Sequence, residues 1–211
     1  MSGLIKYIDG FYSEPDLIRE IALRSEYYVP KGLYGFRSTK GFLARDTIEK
    51  IKSTFGFDEI NLLNVSTRST HFYHSLAGGS EKVRFFAHYD AKYNPERPSY
   101  AFLVYLKPNA PKDTGTGVYR HKATGIWKEP TREDAARLGV PLKKLITDVD
   151  DDCQDRSRWE LLDRIDNVYN RAVLFPAHWF HSSSREFGTK VENGKLYHAF
   201  FFNARPDPFT V

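Results

Sequence analysis

The 211-residue chain has one cysteine, one methionine and no long apolar run. A lone Cys153 cannot close an intramolecular disulfide or supply a cysteine-rich zinc site, which points to a reducing, cytoplasmic setting. The longest uninterrupted apolar stretch, 100–106, is far short of the roughly 20 residues that a membrane-spanning helix needs, so no membrane partner is expected. The N-terminal MSGLIKYIDGFYSEP meets a glycine and a lysine before an apolar signal region could form, and no secretory leader is expected. Charge of one sign is also scarce: 31 Lys plus Arg against 27 Asp plus Glu leave +4, with the two signs interspersed. Without a basic run longer than Lys143-Lys144, a nucleic-acid surface is not implied. Internal repeats and low-complexity tracts are missing too, which excludes solenoids and propellers.

What is present is an ample core: 41% of the residues are hydrophobic and 15% aromatic, as in a folded chain and unlike a disordered one. The length fits one domain over 1–211. Residues 1–59 read as helical support, with a first helix capped at Ser13 and carrying Leu17, Ile18, Ile21 and Ala22 on one face. A second helix starts at Asp46, places Ile48, Ile51 and Phe55 on a stripe and stops at Gly56.

From residue 60 to 203 short β-branched and aromatic segments alternate with turn chemistry, the texture of antiparallel β structure. Strands are expected near 61–67, 83–88, 100–106, 118–120, 159–165, 172–175 and 196–202. The fold class is therefore mainly β with flanking N-terminal helices, arranged as a sandwich or jelly roll. A charged segment near 129–155 interrupts the rhythm with a helix signal at Thr131-Arg-Glu-Asp134, and reads as a surface insertion or lid.

Several motifs fail on inspection. Asp148, Asp150 and Asp152 occupy the first, third and fifth positions of a calcium loop, but Cys153 stands where glycine is required and Trp159 where a bidentate glutamate is required. The run reads as a solvated acidic loop. Gly115-Thr-Gly117 lacks the third glycine of a dinucleotide loop, no serine sits in a nucleophile elbow, and Cys153 in acidic surroundings is a poor nucleophile.

One pair of segments carries chemistry. His88 and Asp90 stand two apart at the end of an apolar strand, so that in extended backbone they share a face and could grip one ion. The apolar segment 170–176 leads to His178 and His181. Two histidines and one carboxylate from two antiparallel strands form the facial triad that holds non-haem Fe(II) and leaves open positions. A single His-x-Asp is common as an ordinary surface or core pair; the two strand-end segments together give the metal reading its weight.

Five pieces in order resemble the Fe(II)/2-oxoglutarate-dependent dioxygenase superfamily, in particular its prolyl-hydroxylase-like branch and small bacterial and phage members. They are Ala87-His88-Tyr-Asp90, Ser99-Tyr-Ala-Phe-Leu-Val-Tyr-Leu106, Gly115-Thr-Gly-Val-Tyr-Arg-His121, Asn170-Arg-Ala-Val-Leu-Phe-Pro176 with His181, and Gly194-Lys-Leu-Tyr-His-Ala-Phe-Phe-Phe202. The resemblance implies a double-stranded β-helix, Fe(II) and 2-oxoglutarate as cofactors, and iron held by His88, Asp90 and His181, with His178 a packing residue. It implies a cation for the distal carboxylate of 2-oxoglutarate, for which Lys195 is the candidate and Arg205 its rival. Lys195 falls later after His181 than in relatives, an interval that holds Gly188 and Asn193-Gly194 and suits a longer turn. Tyr105 matches a tyrosine that donates to the same carboxylate, though a core aromatic explains it equally.

Arg120 and His121 are expected near the mouth, where they could meet an anionic substrate, though a solvated strand end explains them equally; Trp127, Trp159 and Trp179 are expected there too. His71 and His74 are expected to be packed, not ligating. A retained Asp90 makes hydroxylation of a small molecule or peptide by O₂ the expected outcome. Two readings compete: a cupin-like metal protein without 2-oxoglutarate, which has no need of Lys195, and a non-catalytic jelly-roll binding module.

Overall fold

The computed structural model describes residues 4–30, 35–77 and 85–209. Its elements are β1 (Lys6–Ile8), α1 (Pro15–Arg24), β2 (Tyr27–Tyr28), β3 (Phe36–Ser38), α2 (Thr47–Phe55), β4 (Glu59–Leu62), β5 (His71–Ser75) and β6 (Ser99–Tyr105). They continue through β7 (Thr116–His121), α3 (Arg132–Leu138), α4 (Leu142–Asp151), β8 (Trp159–Ile165), β9 (Ala172–Pro176), β10 (His181–Ser183) and β11 (Lys195–Arg205).

The strands form two antiparallel sheets. The larger runs β1-β9-β6-β11-β5-β3-β2, with β4 pairing the far end of β11; the smaller runs β10-β7-β8. At 11 residues, β11 is the spine of the large sheet and pairs β4, β5 and β6. Its side chains alternate as strand geometry requires. Leu196, Phe200, Phe202 and Ala204 pack on one face with Phe11, Ile18, Ala22, Ile51 and Phe57 of the helical side. Lys195, Tyr197, Ala199 and Phe201 face the small sheet. Each fully buried phenylalanine contributes roughly 2–3 kcal/mol of transfer free energy, so this aromatic layer fixes the register of β11.

Between the sheets lie Ala101, Tyr105, Val118, Val173, Phe175 and Trp179. On the outer face of the small sheet, Ala135, Leu145 and Val149 from α3 and α4 pack on Tyr119, Trp159 and Phe180. The layers therefore run helix, sheet, sheet, helix. Among the described residues no helix is long and apolar enough to cross a membrane.

Several expectations need correction. The first helix begins at Pro15, not after a Ser13 cap: proline suits the first helical position, and Glu14 stands as the cap residue with no side-chain cap bond. The second helix keeps Asp46 at its start and ends on Gly56 in the left-handed region, φ 76°. The first 59 residues also supply β1, β2 and β3, strands too short to show a period. The expected strand near 61–67 is shorter and earlier, as β4. Of 83–88, residues 83 and 84 lie outside the described residues, and the rest forms only an isolated bridge at His88.

The acidic run is not a loop. Asp148, Asp150 and Asp151 belong to α4, whose Leu145 and Val149 are four apart and buried. The segment 129–155 backs the small sheet, and none of its residues lines the main cavity.

Candidate metal centre and cavity

His88 and His181 are brought together by the backbone. His88 N–H donates to the His181 carbonyl at 3.1 Å and His181 N–H returns a bond at 2.9 Å, so the rings stand side by side with centroids 4.4 Å apart. Asp90 is held in turn by its N–H to the Ala177 carbonyl at 2.7 Å. One ligand atom from each of His88, Asp90 and His181 lies within 4.8 Å of the others.

The hydrogen bonds decide what this cluster offers. His88 Nδ1 lies 2.9 Å from the Phe86 carbonyl and His181 Nδ1 lies 2.9 Å from the Trp179 carbonyl. A carbonyl only accepts, so each Nδ1 carries a proton and Nε2 is the ring nitrogen turned inward. His181 Nε2 then stands 3.2 Å from Asp90 Oδ2. Burial pushes His88 down to about 4, with His181 beside it adding to the fall, so the ring is neutral at physiological pH. For Asp90 burial alone would raise the carboxyl, but the neighbouring His181, His88 and Arg68 outweigh it and hold the group well below its ordinary range. Two inward ring nitrogens and a carboxylate converging on one point match the ligand set of a cation, and two imidazoles with one carboxylate suit a first-row divalent metal.

Arg68, on the turn before β5, donates to Asp90 Oδ1 and stacks over Phe201 with its guanidinium carbon 4.3 Å from the ring centroid. Its grip on one carboxylate oxygen leaves the other aimed at His181. Sequence reasoning missed this residue, because a turn arginine carries no pattern that distinguishes it from a solvated one.

The triad opens into a cavity of about 920 Å³ between the sheets. Small residues, Ala101 on β6 and Ala199 on β11, make the space; Phe86, Phe175, Phe201, Tyr73 and Tyr197 wall it. Lys195 also lines it, 3% exposed. The Lys195 ammonium donates to the Gly115 carbonyl at 2.9 Å and to Ser183 Oγ at 2.7 Å, and lies 5.8 Å from the Tyr105 ring centroid. Burial lowers the Lys195 pKa, and Glu186 nearby opposes the fall. Gly115 is required at this spot: a Cβ there would stand 1.7 Å from the Ile165 carbonyl oxygen.

The other expected residues fall as follows. Tyr105 is fully buried and is not part of the cavity wall; its hydroxyl meets Thr116 Oγ1 at 2.7 Å, and Thr116 does line the cavity. Arg205 is exposed at the end of β11, away from the site. Arg120 pairs with Glu160 at the surface, with Nη2 to Oε2 at 2.6 Å. His121 is buried between Thr124 and Asp152 at 2.9 and 3.0 Å. Neither lines the cavity: the His121 ring packs on Trp159, 5.0 Å between centroids, on the outer side of the small sheet, and Arg120 is engaged by Glu160. Trp127, Trp159 and Trp179 do not line it either; Trp159 is core against α4. His178 packs on Tyr93, apart from the cluster. His71 and His74 are buried, His74 stacked on Phe36 at 4.3 Å. Cys153 is free, its pKa raised by burial and then by Asp150.

Comparison with known proteins adds to this geometry. The chain is similar to a solved structure of HygX from Streptomyces hygroscopicus with nickel and 2-oxoglutarate bound, at 13% identity and a TM-score of 0.55, covering 96% of this chain and 83% of that one. It is also similar to HygX with nickel, 2-oxoglutarate and hygromycin B bound, at 12% identity and a TM-score of 0.53, again over 96% and 83%. At such identities the likeness establishes a shared fold. No curated protein sequence matches the chain. A family model matches over residues 4–202, and the chain accordingly belongs to the family of unknown function DUF6445.

Proposed function

We propose that the protein is a non-haem Fe(II)- and 2-oxoglutarate-dependent oxygenase on a double-stranded β-helix, working in the cytoplasm and hydroxylating a small molecule or peptide with O₂. The observation that carries this reading is the pair of inward-turned Nε2 atoms beside the Asp90 carboxylate, facing a cavity with a buried lysine in its wall. A shared fold with a protein seen with nickel and 2-oxoglutarate supports it.

His88, Asp90 and His181 would hold the metal, and Lys195 would take the distal carboxylate of 2-oxoglutarate. Bound together there, iron and 2-oxoglutarate would supply oxidative decarboxylation coupled to hydroxylation. The chain's own residues do the rest. The carbonyls of Phe86 and Trp179 fix the tautomers and ring orientations of the two histidines. Arg68 orients Asp90 through Oδ1. Lys195 has two of its three N–H donors committed, to Gly115 and Ser183, which leaves one for a ligand oxygen. Tyr105 braces this end from behind through Thr116. Phe86, Phe175 and Phe201 exclude water from the chemistry. A cupin-like protein without 2-oxoglutarate would have no use for a buried lysine in this wall.

The test is release of succinate from 2-oxoglutarate by the Fe(II)-loaded protein under air. Turnover is expected in the unmodified protein and abolished in Asp90→Ala; undiminished turnover in that variant refutes the assignment.

A further inference from the structure

Beside Lys195 and Arg68, the cavity wall holds a cation that the proposed chemistry does not use. Arg37 on β3 is 6% exposed and lines the cavity. One of its terminal nitrogens donates to the Thr67 carbonyl, while its buried Nε has no hydrogen-bond partner among the described residues. No carboxylate among the described residues pairs with it. Asp90 is committed to Arg68 and His181, and Glu186 accepts from Ser75 Oγ. A guanidinium withdrawn from water without a counter-charge is costly unless something else completes it.

Its surroundings say what that is. The Arg37 guanidinium carbon lies 5.1 Å from the Tyr73 ring centroid, and Tyr73 stacks on Tyr197 at 5.4 Å with the planes 12° apart. The row is built by the ladder, in which Arg37 is paired with Tyr73 and Tyr73 with Tyr197. Lys195 is two residues farther along β11 and two strands away. From strand spacing and rise, the Arg37 and Lys195 backbones are therefore about 12 Å apart, with the tyrosine stack between them. One small dicarboxylate held between the triad and Lys195 does not also need Arg37. Val29, Pro30 and Gly35 line the cavity beside it, and Val29 is 59% exposed, so Arg37 marks the open end.

Resting on the oxygenase reading of this cavity, we propose that the substrate carries a carboxylate or phosphate that docks on Arg37, with an adjacent ring or flat apolar part against Tyr73 and Tyr197. The planar fork of arginine suits two-point recognition of such a group.

Calorimetric titration of the metal-free protein tests this with four probes of one size: phenyl phosphate, phenylacetate, benzyl alcohol and benzylamine. The anions are expected to bind about tenfold or more tighter than the alcohol and the amine, and whichever anion binds tighter identifies the group. Arg37→Gln is expected to lose that preference and Arg37→Lys to keep part of it. Lys195→Met is expected to leave it in place. Equal binding of all four probes by the unmodified protein overturns the proposal, and does so even where Arg37→Gln fails to fold. Loss of anion binding in Lys195→Met but not in Arg37→Gln overturns it equally. A protein that binds the anions through Arg37 yet releases no succinate from 2-oxoglutarate would count against the oxygenase reading alone.

Discussion

His181 Nε2 stands 3.2 Å from Asp90 Oδ2, and the opposite oxygen of the same carboxylate is held by Arg68. The two contacts divide the carboxylate between an orienting partner and a ligand-facing side. That division makes Arg68 a positioning residue with a measurable consequence.

Arg68→Ala is expected to weaken binding of a divalent metal by roughly 10–100-fold, the usual cost of losing a group that orients a ligand. The side chain is 32% exposed, so the fold should persist. Titration with Mn(II) followed by electron paramagnetic resonance reads the affinity directly. An unchanged affinity would mean that Asp90 is oriented by its backbone alone.

Lys195→Met should separate the two ligands. Removing one charge-assisted hydrogen bond costs on the order of 2 kcal/mol, or more than tenfold in 2-oxoglutarate affinity. Metal binding should be untouched, because Lys195 contacts Gly115 and Ser183 and none of the triad. Parallel calorimetry with Mn(II) and with 2-oxoglutarate would show it, and loss of both together would contradict the assignment.

Neighbouring positions on β11 should respond oppositely. Phe200 faces the helices and Ala199 the cavity. Phe200→Ala is expected to cost about 3–5 kcal/mol of stability. Ala199→Leu adds bulk into open space, so it should melt near the unmodified protein yet fail to bind 2-oxoglutarate or substrate. Denaturant unfolding with ligand titration checks the pair; severe destabilisation by Ala199→Leu would mean the cavity is filled in solution.

Acid should loosen the helical side through His198. Its Nε2 faces the carbonyls of Phe42 and Thr70 at 3.1 and 3.0 Å, and its Nδ1 meets the Tyr12 hydroxyl at 2.7 Å. Burial holds the ring at about 4, below the ordinary 6.5, so the native state prefers it neutral. The sign follows: the contribution is complete above pH 6.5 and is lost as pH falls toward 4. By pH 5 the loss from this group is on the order of 2 kcal/mol. Unfolding free energies at pH 7.5 and 5 should differ less in His198→Gln than in the unmodified protein; equal differences in the two would assign the acid sensitivity elsewhere.

The triad was legible because its residues close apolar segments, and such segments end where a sheet presents side chains to a cleft. That Lys195 lines the cavity was legible from the resemblance. Arg68 and Arg37 were not legible. One sits in a turn and the other in a three-residue strand, and nothing in either segment shows that the sheet folds it over the cavity. Arg120 and His121 misled because their partners lie far along the chain: Glu160 takes up Arg120 and Asp152 takes up His121, and neither residue lines the cavity. The acidic run misled because its charges hid the spacing of Leu145 and Val149.

The most direct test of the central claim is an anaerobic titration of the Fe(II)-loaded protein with 2-oxoglutarate, followed by visible absorption. A saturable charge-transfer band that vanishes in Asp90→Ala and His181→Ala is expected. No band in the unmodified protein, or an undiminished one in either variant, would contradict it.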